Sequence, residues 1–98
     1  MTRAMLLTVP ALLLGIAAAR ADEAQIHLKD APGHETVETV CSVCHSLDYI
    51  RINAPFLTEQ GWQAEVGKMV KIFGAPATPE EAQAISTYLA KNYGKPPG

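Results

Sequence analysis

The sequence predicts an all-α fold, and three observations predict it. Apolar residues recur at helical spacing in three separate runs, and glycine or proline ends the second and third of them. No segment alternates apolar and polar residues as a half-buried strand would. Along the chain, Asp22 to Pro32 reads as a polar, irregular arm. From Gly33 to about Cys44, the residues Val37, Val40, Cys41 and Cys44 fall at i, i+3, i+4 and i+7 and give a helix with one apolar face, capped by either Asp30 or Gly33. Ser46 to Leu57 reads as a loop containing Pro55. A second helix starts at Thr58 or Glu59, carries Trp62, Val66, Met69 or Val70, and Phe73 as its stripe, and stops at Gly74-Ala75-Pro76. The third opens with Thr78-Pro79-Glu80-Glu81, a capping threonine with proline at the first helical position and glutamate at the third. Ala82, Ile85, Leu89 and the ring of Tyr88 or Tyr93 form its buried stripe, and Gly94 ends it. The chain contains no repeat and no low-complexity block.

The first 21 residues read as a secretory signal peptide. Arg3 stands among Met1 to Met5 without an acid, Leu6 to Ala19 is almost wholly apolar, and Ala19-Arg20-Ala21 offers a small-x-small cleavage site. The apolar run falls short of the ~20 residues that span a bilayer, and Pro10 interrupts it, so a membrane anchor is not expected. Residues 22–98 then form one small domain. Cleavage removes Arg3 and Arg20 but none of the 10 acids, leaving the domain more acidic than the whole chain at −2. That balance argues against nucleic acid or an anionic membrane surface as a partner. So short a domain has a marginal core of its own.

The most specific signal is Cys41-Ser42-Val43-Cys44-His45, the C-x-x-C-H pattern of covalent haem c attachment. Each thiol forms a thioether to one haem vinyl group, and the histidine that follows is the proximal iron ligand. These are the only 2 cysteines in the chain. A thioredoxin-like redox pair would open a helix after a strand, whereas this pair closes one. A structural zinc site wants four nitrogen or sulfur ligands, and the chain adds only His27 and His34, both upstream. Covalent haem is the reading adopted over these two and over chance. Attachment at this motif takes place outside the bacterial cytoplasmic membrane, in agreement with the export signal and a periplasmic location. A buried haem would supply much of the missing apolar contact, and the apoprotein is expected to be poorly folded.

The sixth iron position decides the chemistry: a strong ligand suits electron transfer, an open one suits small-molecule binding. Candidates are His27, His34 and Met69, the only methionine after the signal. His34 shares the helix of the attachment motif and cannot easily cross to the far face. His27 lies in the arm and reaches only by wrapping around. Met69 sits on an element free to pack over the other face and is the expected ligand, although methionine beside Trp62, Val66 and Phe73 also suits plain core packing.

With these residues in place, the chain resembles the class I cytochrome c family, with an early C-x-x-C-H and a last helix carrying Tyr88-Leu89. The resemblance implies three main helices around one covalent haem, with the last helix crossing the first. It also implies that the Pro55 carbonyl accepts from the ring N–H of His45. A narrower resemblance spans nearly all of residues 22–98. Cys41 to Ile50, then Trp62, Glu65-Val66, Lys68-Met69, Phe73-Gly74-Ala75-Pro76, Ile85, Tyr88-Leu89 and Tyr93-Gly94 are similar to the small monohaem subunit of periplasmic sulfite dehydrogenase. In that heterodimer a molybdenum subunit oxidises sulfite, and the cytochrome relays electrons singly to an external cytochrome c. Met69 within a helix, rather than in an extended loop, departs from class I proteins generally and agrees with the narrower group.

The expected function is therefore single-electron transfer without catalysis by this chain. A freely diffusing carrier, or the haem subunit of another dehydrogenase, is the alternative, and a haem enzyme or gas sensor is disfavoured. Arg51, Lys68 and Lys71 read as solvated charges rather than haem-propionate partners. Trp62 suits the core or a propionate edge; Tyr49 suits a propionate, a partner or packing. Glu80 and Glu81 are explained by the helix start. Ala54, Phe56 and Leu57 are candidate docking residues.

Overall fold

A computed structural model of the chain describes residues 26–98. The expected signal peptide, residues 1–21, and residues 22–25 of the arm lie outside the described residues. The described residues are all-α, with four helices and no strand among them: α1 His34–Cys41, α2 Asp48–Asn53, α3 Glu59–Lys71 and α4 Pro79–Tyr93.

α4 forms where local chemistry demands it. The Thr78 side chain accepts from the Glu81 N–H at 3.1 Å, and Pro79 occupies the first turn, where its missing donor costs nothing. Its buried face consists of Ile85, Ser86, Tyr88 and Leu89. Gly94 ends it, its N–H donating to Ala90 O. α3 has the same kind of start, with Thr58 accepting from the Gly61 N–H at 3.2 Å. Trp62 and Val66 are buried on it. Phe73, expected in that stripe, lies past the helix end and is 64% exposed. The chain turns at Gly74, whose φ of 71° is in the left-handed region.

The helix expected to run to about Cys44 stops instead at Cys41. Val43 and Cys44 are exposed, so a further turn would bury nothing that offsets its ordering cost. Gly33 is the cap of α1, with φ 96° and no side-chain cap bond. A Cβ there would stand 3.1 Å from Tyr88 Cβ, which shows how closely the start of α1 approaches α4.

α2 corrects a second expectation, since the sequence reads as loop from Ser46 to Leu57. Ile50 is buried and Leu47 packs on the core at i, i+3 spacing. Ser46 Oγ accepts from the Asp48 N–H at 3.2 Å, and the Asn53 side chain donates to Tyr49 O. Six residues do not hold a helix by propensity; the tertiary burial of one face does.

The arm from Ile26 to Pro32 is irregular, as expected, but it is tied to α4. Leu28 is buried, the Lys29 N–H donates to Tyr93 Oη at 2.8 Å, and Tyr88 Oη donates to Lys29 O. The Lys29 ammonium donates to Asn92 O and lies 5.0 Å from the centre of the Tyr93 ring.

α4 is the hub. It packs against α1, α2 and most extensively α3, while the backbones of α1 and α2 do not approach that of α3. The start of α3 is pinned to the end of α4 by Trp62 Nε1 donating to Tyr93 O at 3.1 Å. Beside it, the Lys95 N–H donates to Leu57 O at 2.8 Å. Replacing Gly33 with alanine strains φ and crowds Tyr88, and it is expected to cost about 1–3 kcal/mol. A fall in the urea midpoint at unchanged slope checks this; an unchanged midpoint contradicts it.

Candidate functional site

Because α1 and α2 stay apart from α3, the three enclose a cavity of about 380 Å³ above α4. One wall carries Val40, Cys41, Cys44, His45, Tyr49 and Ile50. The other carries Trp62, Glu65, Val66, Met69 and Val70 from α3. Ile85 and Leu89 of α4 form the floor, and Phe73 and Ala75 form part of the rim.

Cys41 ends α1 and is half-buried, and burial pushes its thiol pKa up. Cys44 lies exposed in the following turn, and the two thiols are not bonded to each other. His45 follows on the surface of the same wall. Its Nδ1 lies 3.0 Å from Ser46 O, and its ring centre lies 5.3 Å from that of Tyr49. Met69 sits partly buried on the last turns of α3. The four residues expected to hold haem, Cys41, Cys44, His45 and Met69, thus line one cavity.

The other two candidates for the sixth position do not line it. His27 is exposed beside a second, more open cleft with Ile26, Glu38, Ser42 and Leu47. His34 on α1 lies between Asp30 at 3.7 Å and Glu38 at 3.0 Å, its ring against Tyr88. Pro55 is exposed and off the cavity wall, and its expected hydrogen bond to the His45 ring is not formed; Ser46 O is the acceptor beside that ring. Of the apolar loop residues, Phe56 is 70% exposed, whereas Leu57 packs against the core.

The sequence reading assigned no role to Glu65 and left that of Tyr49 open. Tyr49 Oη donates to Glu65 Oε2 at 3.1 Å, and Glu65 Oε1 pairs with the Lys68 ammonium. Burial first, and then the hydrogen bond and charge of Glu65, push the Tyr49 phenol pKa up. The hydrogen bond to Glu65 chiefly raises that of Lys68. A signal for Glu65 was present in the spacing. Trp62, Glu65, Val66 and Met69 fall at i, i+3, i+4 and i+7, which places a carboxylate on the apolar stripe.

The arrangement separates the chemical alternatives. Among the described residues no three His, Cys, Asp or Glu side chains gather as metal donors do, so Cys41, Cys44 and His45 do not converge on one point as zinc requires. No strand precedes the cysteine pair among the described residues, unlike a thioredoxin-type site. Thiols and an imidazole spaced along one side of an apolar cavity, with a thioether sulfur on α3, fit a flat apolar group touched at several of its atoms. That donor set fits haem c. No helix among the described residues is long and apolar enough to cross a membrane. Comparison with protein-family models and with curated proteins yields no match for this chain.

Proposed function

We propose that this chain is an exported, periplasmic c-type cytochrome of class I fold that carries single electrons. In this reading it is the haem subunit of a molybdenum-containing sulfite dehydrogenase. One observation carries the haem reading: Cys41, Cys44 and His45 of the motif and the single methionine of the domain line the same apolar cavity, and the histidine alternatives do not.

When bound, haem c supplies a one-electron iron couple. Cys41 and Cys44 hold the group covalently, which fixes it without reliance on a large core. His45 would ligate the iron. A proton on Nδ1 facing Ser46 O leaves Nε2 free to ligate, and the carbonyl holds the ring in that tautomer. The resemblance gives this task to the Pro55 carbonyl; Ser46 O is the carbonyl that lies beside the ring and would take it over. Met69 would hold the iron from α3, and a thioether sulfur there would favour the reduced state relative to a second histidine. Val40, Ile50, Val66 and Leu89 line the cavity and would exclude water from a group held there. A low-polarity wall of this kind also favours the less charged, reduced iron.

Sulfite and water yield sulfate, two protons and two electrons. The molybdenum subunit carries out that oxidation, and this chain accepts one electron at a time, turning over twice per sulfate. It then reduces an external cytochrome c. The exposed thioether side, at Cys44, is the electron entry and exit edge, and Phe56 contributes to docking.

Replacing Met69 with alanine is expected to abolish the methionine-to-iron charge-transfer band and to lower the reduction potential; an unchanged spectrum and potential would contradict the ligand assignment. Gel filtration of the native periplasmic protein is expected to show haem and molybdenum co-eluting in near-equal amounts, with sulfite reducing the haem. Haem eluting alone and indifferent to sulfite would leave a free carrier instead.

A further inference from the structure

The two walls of the cavity are joined in only a few places. The turn from Ala54 to Thr58 links them along the chain. Both rest on α4, but α1 and α2 make no close backbone approach to α3. Across the gap, among the described residues, a single hydrogen bond connects the wall bearing Cys41, Cys44 and His45 to α3: Tyr49 Oη to Glu65 Oε2 at 3.1 Å. Its position along each wall is specific. Tyr49 packs its ring on His45, and Glu65 lies one helical turn before Met69.

We infer that Tyr49 and Glu65 form a latch that holds α3 against the haem-attachment wall and so keeps Met69 in the sixth position, closed to outside ligands. The inference rests on the haem reading above and adds to it residues that position a ligand without being ligands.

Two features support the latch. First, α3 is pinned at one end only. Trp62 near its start bonds Tyr93 O, while the turn carrying Met69 has no hydrogen bond to α4 among the described residues. Without the latch, apolar contacts alone set how far that end stands from the opposite wall. Second, the Glu65 side chain is only 14% exposed although it is a carboxylate beside an apolar cavity. Such burial is unfavourable unless both oxygens are occupied. One accepts from Tyr49 across the gap, and the other takes Lys68 on its own helix.

The consequence is a choice between two kinds of haem chemistry. Where the sixth position opens only in a minor conformation, the apparent affinity for an external ligand falls by the fraction that is open. A latched α3 keeps that fraction small and the site an electron carrier. An unlatched α3 exposes the iron to small molecules.

The test uses the haem-loaded protein and its Tyr49→Phe, Glu65→Ala, Glu65→Gln and Met69→Ala variants. Imidazole affinity is titrated on the oxidised form and carbon monoxide affinity on the reduced form, with helical content and melting temperature measured in parallel. Tyr49→Phe and Glu65→Ala are expected to bind both probes at least about tenfold more tightly than the parent while still folded. Glu65→Gln, whose amide oxygen still accepts from Tyr49, is expected to stay near the parent. If Tyr49→Phe does not fold, Glu65→Ala against Glu65→Gln makes the same comparison.

The latch is refuted if Tyr49→Phe and Glu65→Ala bind like the parent while Met69→Ala opens the site, since ligation then stands without it. It is equally refuted if Glu65→Gln opens the site as far as Glu65→Ala does. A protein without covalent haem, or a Met69→Ala variant that binds like the parent, overturns the underlying haem or ligand reading, and the latch with it.

Discussion

The buried face of α4 is the surface on which every other element is placed. Ile85, Tyr88 and Leu89 supply the apolar contact that α1, α2 and α3 share. The irregular arm is bound to the same helix through Tyr88, Tyr93 and Asn92. The backbones of α1 and α2 do not approach that of α3, so among the described residues α4 is the support that the other helices share. That shared support also produces the cavity: elements that pack on α4, and meet across the gap only through the Tyr49–Glu65 hydrogen bond, leave a space lined by their remaining apolar side chains.

That space is costly for so small a domain. Val40, Ile50, Trp62 and Val66 each gain part of their burial from the helices, yet each also faces the cavity. An unfilled apolar cavity forfeits dispersion contacts along its whole lining. A group seated there would restore them, which links the stability of the domain to occupancy of the site. In the proposed cytochrome the prosthetic group is thus the missing centre of the core as well as the redox centre. In that proposal, thioether bonds from Cys41 and Cys44 would make the contribution permanent.

What was legible in the sequence was local. The Thr78-Pro79-Glu80-Glu81 start, the Thr58 cap and the stop at Gly94 are each encoded within a few residues, and each stands where expected. The cysteine–histidine motif was legible for the same reason, and Met69 came into consideration as the only methionine after the expected signal peptide. Features that depend on distant packing were not legible. α2 is a helix because Leu47 and Ile50 find the core, whereas its polar composition reads as loop. α1 stops early because nothing buries Val43. The acceptor beside the His45 ring is the backbone carbonyl of Ser46, and no side-chain pattern marks a carbonyl. Tyr49 and Glu65 are 16 residues apart in sequence, and only the fold shows that one bonds the other.

The central claim is that Cys41 and Cys44 carry a haem covalently in this cavity. Intact mass measurement of the protein purified from its native periplasm, before and after extraction with acidified organic solvent, tests it most directly. The account predicts a mass above that of the polypeptide by one haem, with the increment surviving extraction and mapping to the peptide that contains Cys41 and Cys44. A polypeptide of unmodified mass with two free thiols or a disulfide, or haem that washes out with the solvent, would contradict it.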